Sequence, residues 1–302
     1  MLENNKDITI IIPSSCRLER SKHVRDALQS LFDQKGGCPK IIFAANGPNV
    51  DNAMYNEIAS FDNVTAFYTP TPSAPLAVLE AVKSHVDTMY FGFLDDDDFY
   101  YREALIQRKK FLISNPDFDV AIGRAEVEDP ESGHRHFLAN LEDMSLCRQD
   151  PFAVIYKHGI NWMTSAAGLF RASKIDVSFF ENSTPYFEWT YLASKLIVNG
   201  IRFGFIDSGD HLINQLPEGG SLSKTESYKE NEETFLRRVL DLPLTPKERG
   251  MVKGQLCDFY HHQSDLFREN GRFSDAFCSH LKSLSTFRGL KRYAFGTRKF
   301  IF

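Results

Sequence analysis

Met89-Tyr90-Phe91-Gly92-Phe93-Leu94-Asp95-Asp96-Asp97-Asp98 is the stretch that decides the fold. Its apolar part reads as a buried strand, and four carboxylates stand at the C-terminal tip. Adjacent carboxylates repel one another and are costly to desolvate. They become reasonable where a divalent cation and a phosphate-bearing ligand share the spot. The crevice at strand C-termini is also where open α/β sheets bind ligands. The alternative is a solvated acidic turn ahead of the helix-like segment Tyr101 to Ile113, since Asp is favoured near helix N-termini in any case.

The segments on either side set this strand in a repeating pattern. Ile8-Thr9-Ile10-Ile11-Ile12 is β-branched, apolar and stopped by Pro13, as a central strand would be. After the polar run Ser14 to Arg20, the residues Val24, Ala27, Leu28, Leu31 and Phe32 recur at helical spacing. Ile41 to Ala45 forms a second strand that enters the turn Asn46-Gly47-Pro48-Asn49. A short helix (Ala53 to Ser60), a strand (Val64 to Tyr68), a stiff loop (Thr69 to Pro75) and a helix (Leu76 to Val86) follow. The first hundred residues thus alternate strand and helix four times, which predicts a mostly parallel sheet flanked by helices. Beyond them the pattern gives a strand at Val120 to Gly123 and a polar excursion over 124–160, of a length typical of a lid or binding loop. Then come a strand over Met163 to Phe170, a helix from Glu188 to Asn199-Gly200, and a strand over Ile201 to Ile206. Composition shifts near Ser221, and from Asn231 onward the pattern is helical.

A chain of 302 residues with 42% hydrophobic and 25% charged content can bury a sizeable core. Its net charge of −5 argues against nucleic acid as a partner. No apolar run is long enough to span a membrane, and the polar start MLENNKD is unlike a signal peptide, so a cytoplasmic location is expected. Cys16, Cys38, Cys147, Cys257 and Cys278 are scattered, with no C-x-x-C pair, which points to reduced thiols rather than zinc or disulfides. Ser279 to Phe302 carries Lys282, Arg288, Lys291, Arg292, Arg298 and Lys299 and no acid. That tail reads either as peripheral contact with anionic lipid at the inner face of a membrane or as a solvated helix docked on the body.

Four blocks, in order, resemble the family 2 glycosyltransferases, inverting sugar transferases of the GT-A fold. The first is the Ile-rich strand with Pro13-Ser14, Arg17 and a helix ending Leu31-Phe32-Asp33-Gln34. The second is Ile41 to Asn46-Gly47. Phe93-Leu94-Asp95-Asp96-Asp97-Asp98 is similar to the family's D-x-D metal motif. Tyr186-Phe187-Glu188-Trp189, followed by a helix to Gly200, is similar to the block that carries the catalytic base. The resemblance implies an α/β GT-A domain over 1–225, with a nucleotide-binding half (1–98) and an acceptor-binding half (99–225). A helical region over 226–302 would be appended to it.

The same resemblance implies a nucleotide-sugar donor held by Pro13, Ser14, Arg17, Asn46, Asp95 and Asp96. It implies Mn²⁺ or Mg²⁺ on Asp97 and Asp95, and Glu188 as general base toward a glycan or lipid-linked glycan acceptor. Asp95 and Asp97, as alternate residues of an extended tip, would point the same way, and Asp98 would cap the following helix. His211 would approach the site from the last strand, and Trp162 and Trp189 would serve either as stacking platforms or as core. Three departures stand out: Ala45 where members often place a base-reading Asp, Trp189 where a second acid is usual, and Ile213-Asn214-Gln215 in place of an Arg/His-containing segment. A non-catalytic nucleotide- or glycan-binding relative and a nucleotidyl- or phosphoryl-processing enzyme remain the alternatives, the second weakened by the absence of a P-loop and of G-x-G-x-x-G.

Overall fold

The computed structural model describes residues 4–129, 132–184, 186–214, 226–294 and 296–297. Its strands are β1 (Ile8–Ser14), β2 (Lys40–Asn46), β3 (Val64–Thr69), β4 (Tyr90–Phe93), β5 (Phe99–Tyr100), β6 (Val120–Glu128), β7 (Arg135–Phe137), β8 (Gly168–Arg171) and β9 (Phe203–Asn214). Its helices are α1 (Ser21–Phe32), α2 (Asn52–Ala59), α3 (Ala74–His85), α4 (Ala104–Ser114), α5 (Leu141–Gln149), α6 (Pro151–His158) and α7 (Glu188–Val198), then α8 (Glu226–Leu240), α9 (Pro246–Glu269), α10 (Phe273–Ser283) and α11 (Phe287–Tyr293). Among the described residues, no helix is long and apolar enough to cross a membrane.

One sheet, in the order β3-β2-β1-β4-β8-β6-β9-β5 with β7 on β6, runs through the molecule. The first four strands are parallel, and β1 lies between β2 and β4 with Ile11 opposite Phe93. The order then reverses direction, since β8 is antiparallel to both β4 and β6. Strand β1 serves two cores. Ile8, Ile10 and Ile12 pack with Val24, Leu28 and Leu31 of α1. Ile11 faces the other way, toward Phe91, Phe93, Phe170 and α3. Burying each such side chain contributes roughly 1.5–3 kcal/mol, which fixes the register.

Residues 124–160 are not a patternless excursion. Strand β6 continues to Glu128, makes a hairpin with β7, and is followed by two short capped helices. Asn140 and Asp143 form a reciprocal capping box for α5. Asp150 accepts the Ala153 N–H at the start of α6, Pro151 follows it, and Gly159 ends the helix in the left-handed region at φ 72°. The strand expected over Met163 to Phe170 is shorter: Ser165–Ala167 is a 3₁₀ turn and β8 begins at Gly168. The last strand is longer than expected and runs to Asn214.

Candidate active site

The C-terminal tips of β1, β2 and β4 meet at one edge of the sheet. Ser14, the last residue of β1, donates its hydroxyl to Asp96 and accepts the Cys16 N–H at 2.9 Å. Asn46, at the tip of β2, donates Nδ2 to the Ser14 carbonyl at 3.0 Å. After β4 the chain turns tightly, with the Asp98 N–H donating to the Asp95 carbonyl at 3.1 Å. The aspartates therefore sit in a turn, not on an extended tip, and each meets a different environment. Asp96 is buried and gripped by the Arg20 guanidinium, whose Nε lies 3.1 Å from Oδ1. Asp97 also pairs with Arg20, at 3.0 Å. Asp98 does not cap a helix; it accepts the Asn214 N–H of β9 at 3.1 Å.

Asp95 opens onto a cleft beside the strand tips. Pro75, Val78, Phe180 and Leu192 supply apolar wall, while Asp95 and Glu188 bring charge. Glu188 is the first residue of α7, and its Oε2 is buried with no hydrogen-bond partner. Such an orphaned carboxylate oxygen is costly unless a ligand, water or ion meets it. Burial pushes its pKa above the usual carboxylate range. Asp95 is pushed up to about 8, first by burial and then by the neighbouring Asp97 charge, with Glu188 adding to it. Asp97 is raised as well, by burial and Asp96, against the opposing pull of Arg20.

Among the described residues, no three His, Cys, Asp or Glu converge on a metal-sized gap. Asp95 and Asp97 nevertheless form a desolvated pair of carboxylates whose mutual repulsion a cation would relieve. Mg²⁺-like ions are commonly held by one or two carboxylates, with ligand phosphates and water completing the shell. The donor set fits Mn²⁺ or Mg²⁺ that arrives together with a diphosphate.

Pro13, Ser14, Asn46, Asp95, Asp96, Asp97 and Glu188 are thus gathered around the tips of β1, β2 and β4 and the cleft beside them. Arg17 is not among them: its side chain is 51% exposed and lies 3.5 Å from Glu19. The inward-facing guanidinium is Arg20. Cys16 takes a positive φ of 46°, and the 3₁₀ turn Leu18–Arg20 follows it, so the chain reverses before Arg20 reaches the aspartates. His211 lies in β9, fully buried, with Nδ1 2.8 Å from Asp210 and Nε2 3.2 Å from the Thr164 hydroxyl. Arg108 donates two hydrogen bonds of 2.6 Å to Asp210 and forms the base of this buried network. Trp162 is core, with its indole N–H on the Pro151 carbonyl at 3.0 Å. Trp189 borders the cleft but packs 4.9 Å from the Phe93 ring. On the other side of Glu188, Phe187 stacks on Phe235 of α8 at 4.5 Å and 7°.

No protein-family model matches the chain, and no curated protein matches it in sequence. Solved structures do. S. aureus TarS 1-349, in complex with UDP-GlcNAc, superposes with a TM-score of 0.56 at 13% identity, covering 92% of this chain and 90% of that one. Of the longer S. aureus TarS structure the chain covers 44%, at 14% identity and a TM-score of 0.55. Mannosyltransferase PcManGT from Pyrobaculum calidifontis, in complex with GDP-Man and Mn²⁺, gives 0.57 at 10% identity, covering 99% of this chain and 83% of that one. Identities this low establish architecture rather than kinship. The chain has the GT-A fold, a mostly parallel, curled sheet flanked by helices.

Proposed function

We propose that this chain transfers a sugar from a nucleotide-activated donor to a hydroxyl of a glycan or lipid-linked glycan, with inversion at the anomeric carbon. One observation carries the reading. In a GT-A fold, a strand-tip carboxylate (Asp95) and a buried carboxylate with an unpartnered oxygen (Glu188) line the same cleft. Direct displacement needs a base on the acceptor side and charge stabilisation on the departing diphosphate. Glu188 is the base in this reading: desolvation raises its proton affinity, suiting it to take the acceptor's proton as the new bond forms. Ser14, Asn46 and the turn held by Arg20 form the edge against which the nucleotide lies. Mn²⁺ or Mg²⁺ bound by Asp97 and Asp95 would supply Lewis-acid stabilisation of the diphosphate. TarS and PcManGT, with UDP-GlcNAc and with GDP-Man and Mn²⁺, support the same substrate class. A cytoplasmic setting belongs to the proposal, because all five cysteines are free thiols.

The test is calorimetric titration of UDP, GDP, dTDP and CDP, each with and without Mn²⁺. One nucleotide is expected to bind in a metal-dependent way, with binding lost in Asp97→Ala. Glu188→Gln is expected to keep that binding while turnover falls by about 10²–10⁴-fold. Failure of every nucleotide to bind, with and without metal, would sink the proposal. Binding with no turnover in the wild-type chain, across a panel of sugars and acceptors, would leave a non-catalytic binding protein.

A further inference from the structure

Helix α10 is turned inside out. The residues it buries are small or polar: Ala276, Ser279, His280 and Ser283. They lie on the α9 side, where the Ser264 hydroxyl donates to the Ala276 carbonyl at 2.8 Å. Its large apolar side chains point the other way. Phe273, Phe277 and Leu281 follow one another at a spacing of four and are 64%, 42% and 52% exposed. On α11, Leu290 is also 48% exposed. A surface helix ordinarily buries its apolar stripe, and a contiguous exposed one marks a surface that meets something.

The charge around this stripe says what. From Ser279 to the end, the sequence has six Lys or Arg and no acid, in a chain of net charge −5. Arg292 and Arg288 lie 3.0 and 3.6 Å from Asp258 and are partly neutralised. Lys282, next to Leu281, and Lys291, next to Leu290, are exposed, the Lys282 ammonium lying 5.0 Å from the Tyr260 ring of α9. Arg298 and Lys299 lie outside the described residues. A second copy of the chain would set one positive face against another.

We propose that the outward face of α10, with the exposed part of α11, docks on an anionic phospholipid bilayer. Phe273, Phe277 and Leu281 enter the headgroup boundary, and Lys282 and Lys291 meet the lipid phosphates. This inference is independent of the chemistry assigned to Asp95 and Glu188.

The full chain is sedimented with vesicles of equal parts phosphatidylcholine and phosphatidylglycerol, and with phosphatidylcholine alone. It is expected to bind the first and not the second, with binding weakened by salt. Phe273→Ser with Leu281→Ser should weaken binding at least tenfold without lowering Tm, because both side chains are already exposed. Lys282→Glu with Lys291→Glu should also weaken it by more than about tenfold, each lysine contributing about fivefold. The proposal is overturned by no sedimentation, by equal binding to both vesicles, or by full binding of either double variant. It is equally overturned if sedimentation velocity shows a wild-type dimer that the Phe273/Leu281 variant dissolves, since a second copy would then be the occupant.

Discussion

Each of the four consecutive aspartates has its own physical state, and burial with the neighbouring charges raises the pKa of three of them, Asp95, Asp97 and Asp98. Asp96 is paired with Arg20 and accepts the Ser14 hydroxyl, and Asp98 receives a backbone N–H from β9. Asp95 is held at a pKa of about 8, against an ordinary value of 3.8, by burial and by Asp97. The folded chain therefore binds this proton more readily than the unfolded chain does. Without cation or nucleotide, stability gains from Asp95 as pH falls from about 8 toward about 4, and the charge is a full liability above that window. Asp95→Asn should raise stability at pH 8 by about 1–2 kcal/mol, a Tm increase of about 2–4 °C, and flatten this part of the pH dependence. Nucleotide binding should vanish in the same variant. Thermal melts at pH 5 and pH 8 check the first outcome and calorimetry the second; a lower Tm at pH 8 would refute the assignment of that liability.

Among the elements, the junction of β6 and β9 is the most constrained. The register between them slips at Gly123, where Ile122 faces Phe205 but Ala125 faces His211. The irregularity aims Asp210 inward, and its carboxylate fills the space a side chain at 123 would occupy: an added Cβ would lie 1.9 Å from Oδ2. Gly123→Ala should displace that carboxylate from Arg108 and destabilise the chain by about 3 kcal/mol or more in urea unfolding. Gly250→Ala, inside α9 with nothing within 4 Å of the new methyl, should stabilise it by about 0.5–1 kcal/mol. The first four strand–helix alternations were legible because their signals are local: β-branched runs, helical spacing and turn residues. The helices over 124–160 had signals too, in Asn140 with Asp143 and in Asp150-Pro151, but these lie in the caps and not in hydrophobic periodicity. Glu188 and the aspartates were readable at a strand tip and a helix start. Arg20 was not, because the backbone reversal at Cys16 decides which arginine turns inward. The Arg108–Asp210–His211 network joins distant segments through a sheet irregularity that no short window of sequence reveals.

At the scale of the whole molecule, the helical C-terminal region divides into two parts. Phe235, Leu236 and Val239 of α8 and Val252 of α9 belong to the same core as Phe91, Phe93 and Phe187. Arg238 donates to the Asn182 and Ser183 carbonyls at 3.0 Å, just ahead of α7. A domain boundary near residue 225 would cut through this packing. Truncation after 225 should therefore give a chain without a cooperative thermal transition. Truncation after Gly271 removes α10, which buries Ala276, Ser279, His280 and Ser283, and α11, whose Tyr293 stacks on His261 at 4.0 Å, and should retain both a cooperative melt and nucleotide binding. Fluorescence-monitored melting of the two fragments distinguishes these outcomes. The stack of Phe187 on Phe235, one residue from Glu188, also determines where such a molecule can be respliced. A lineage could exchange its last two helices, and with them the proposed lipid-facing surface, while leaving Asp95 and Glu188 undisturbed. A splice ahead of α8 would strip the support from Phe187. If both proposals hold, chemistry and address would be separately heritable, with the seam between them near Gly271.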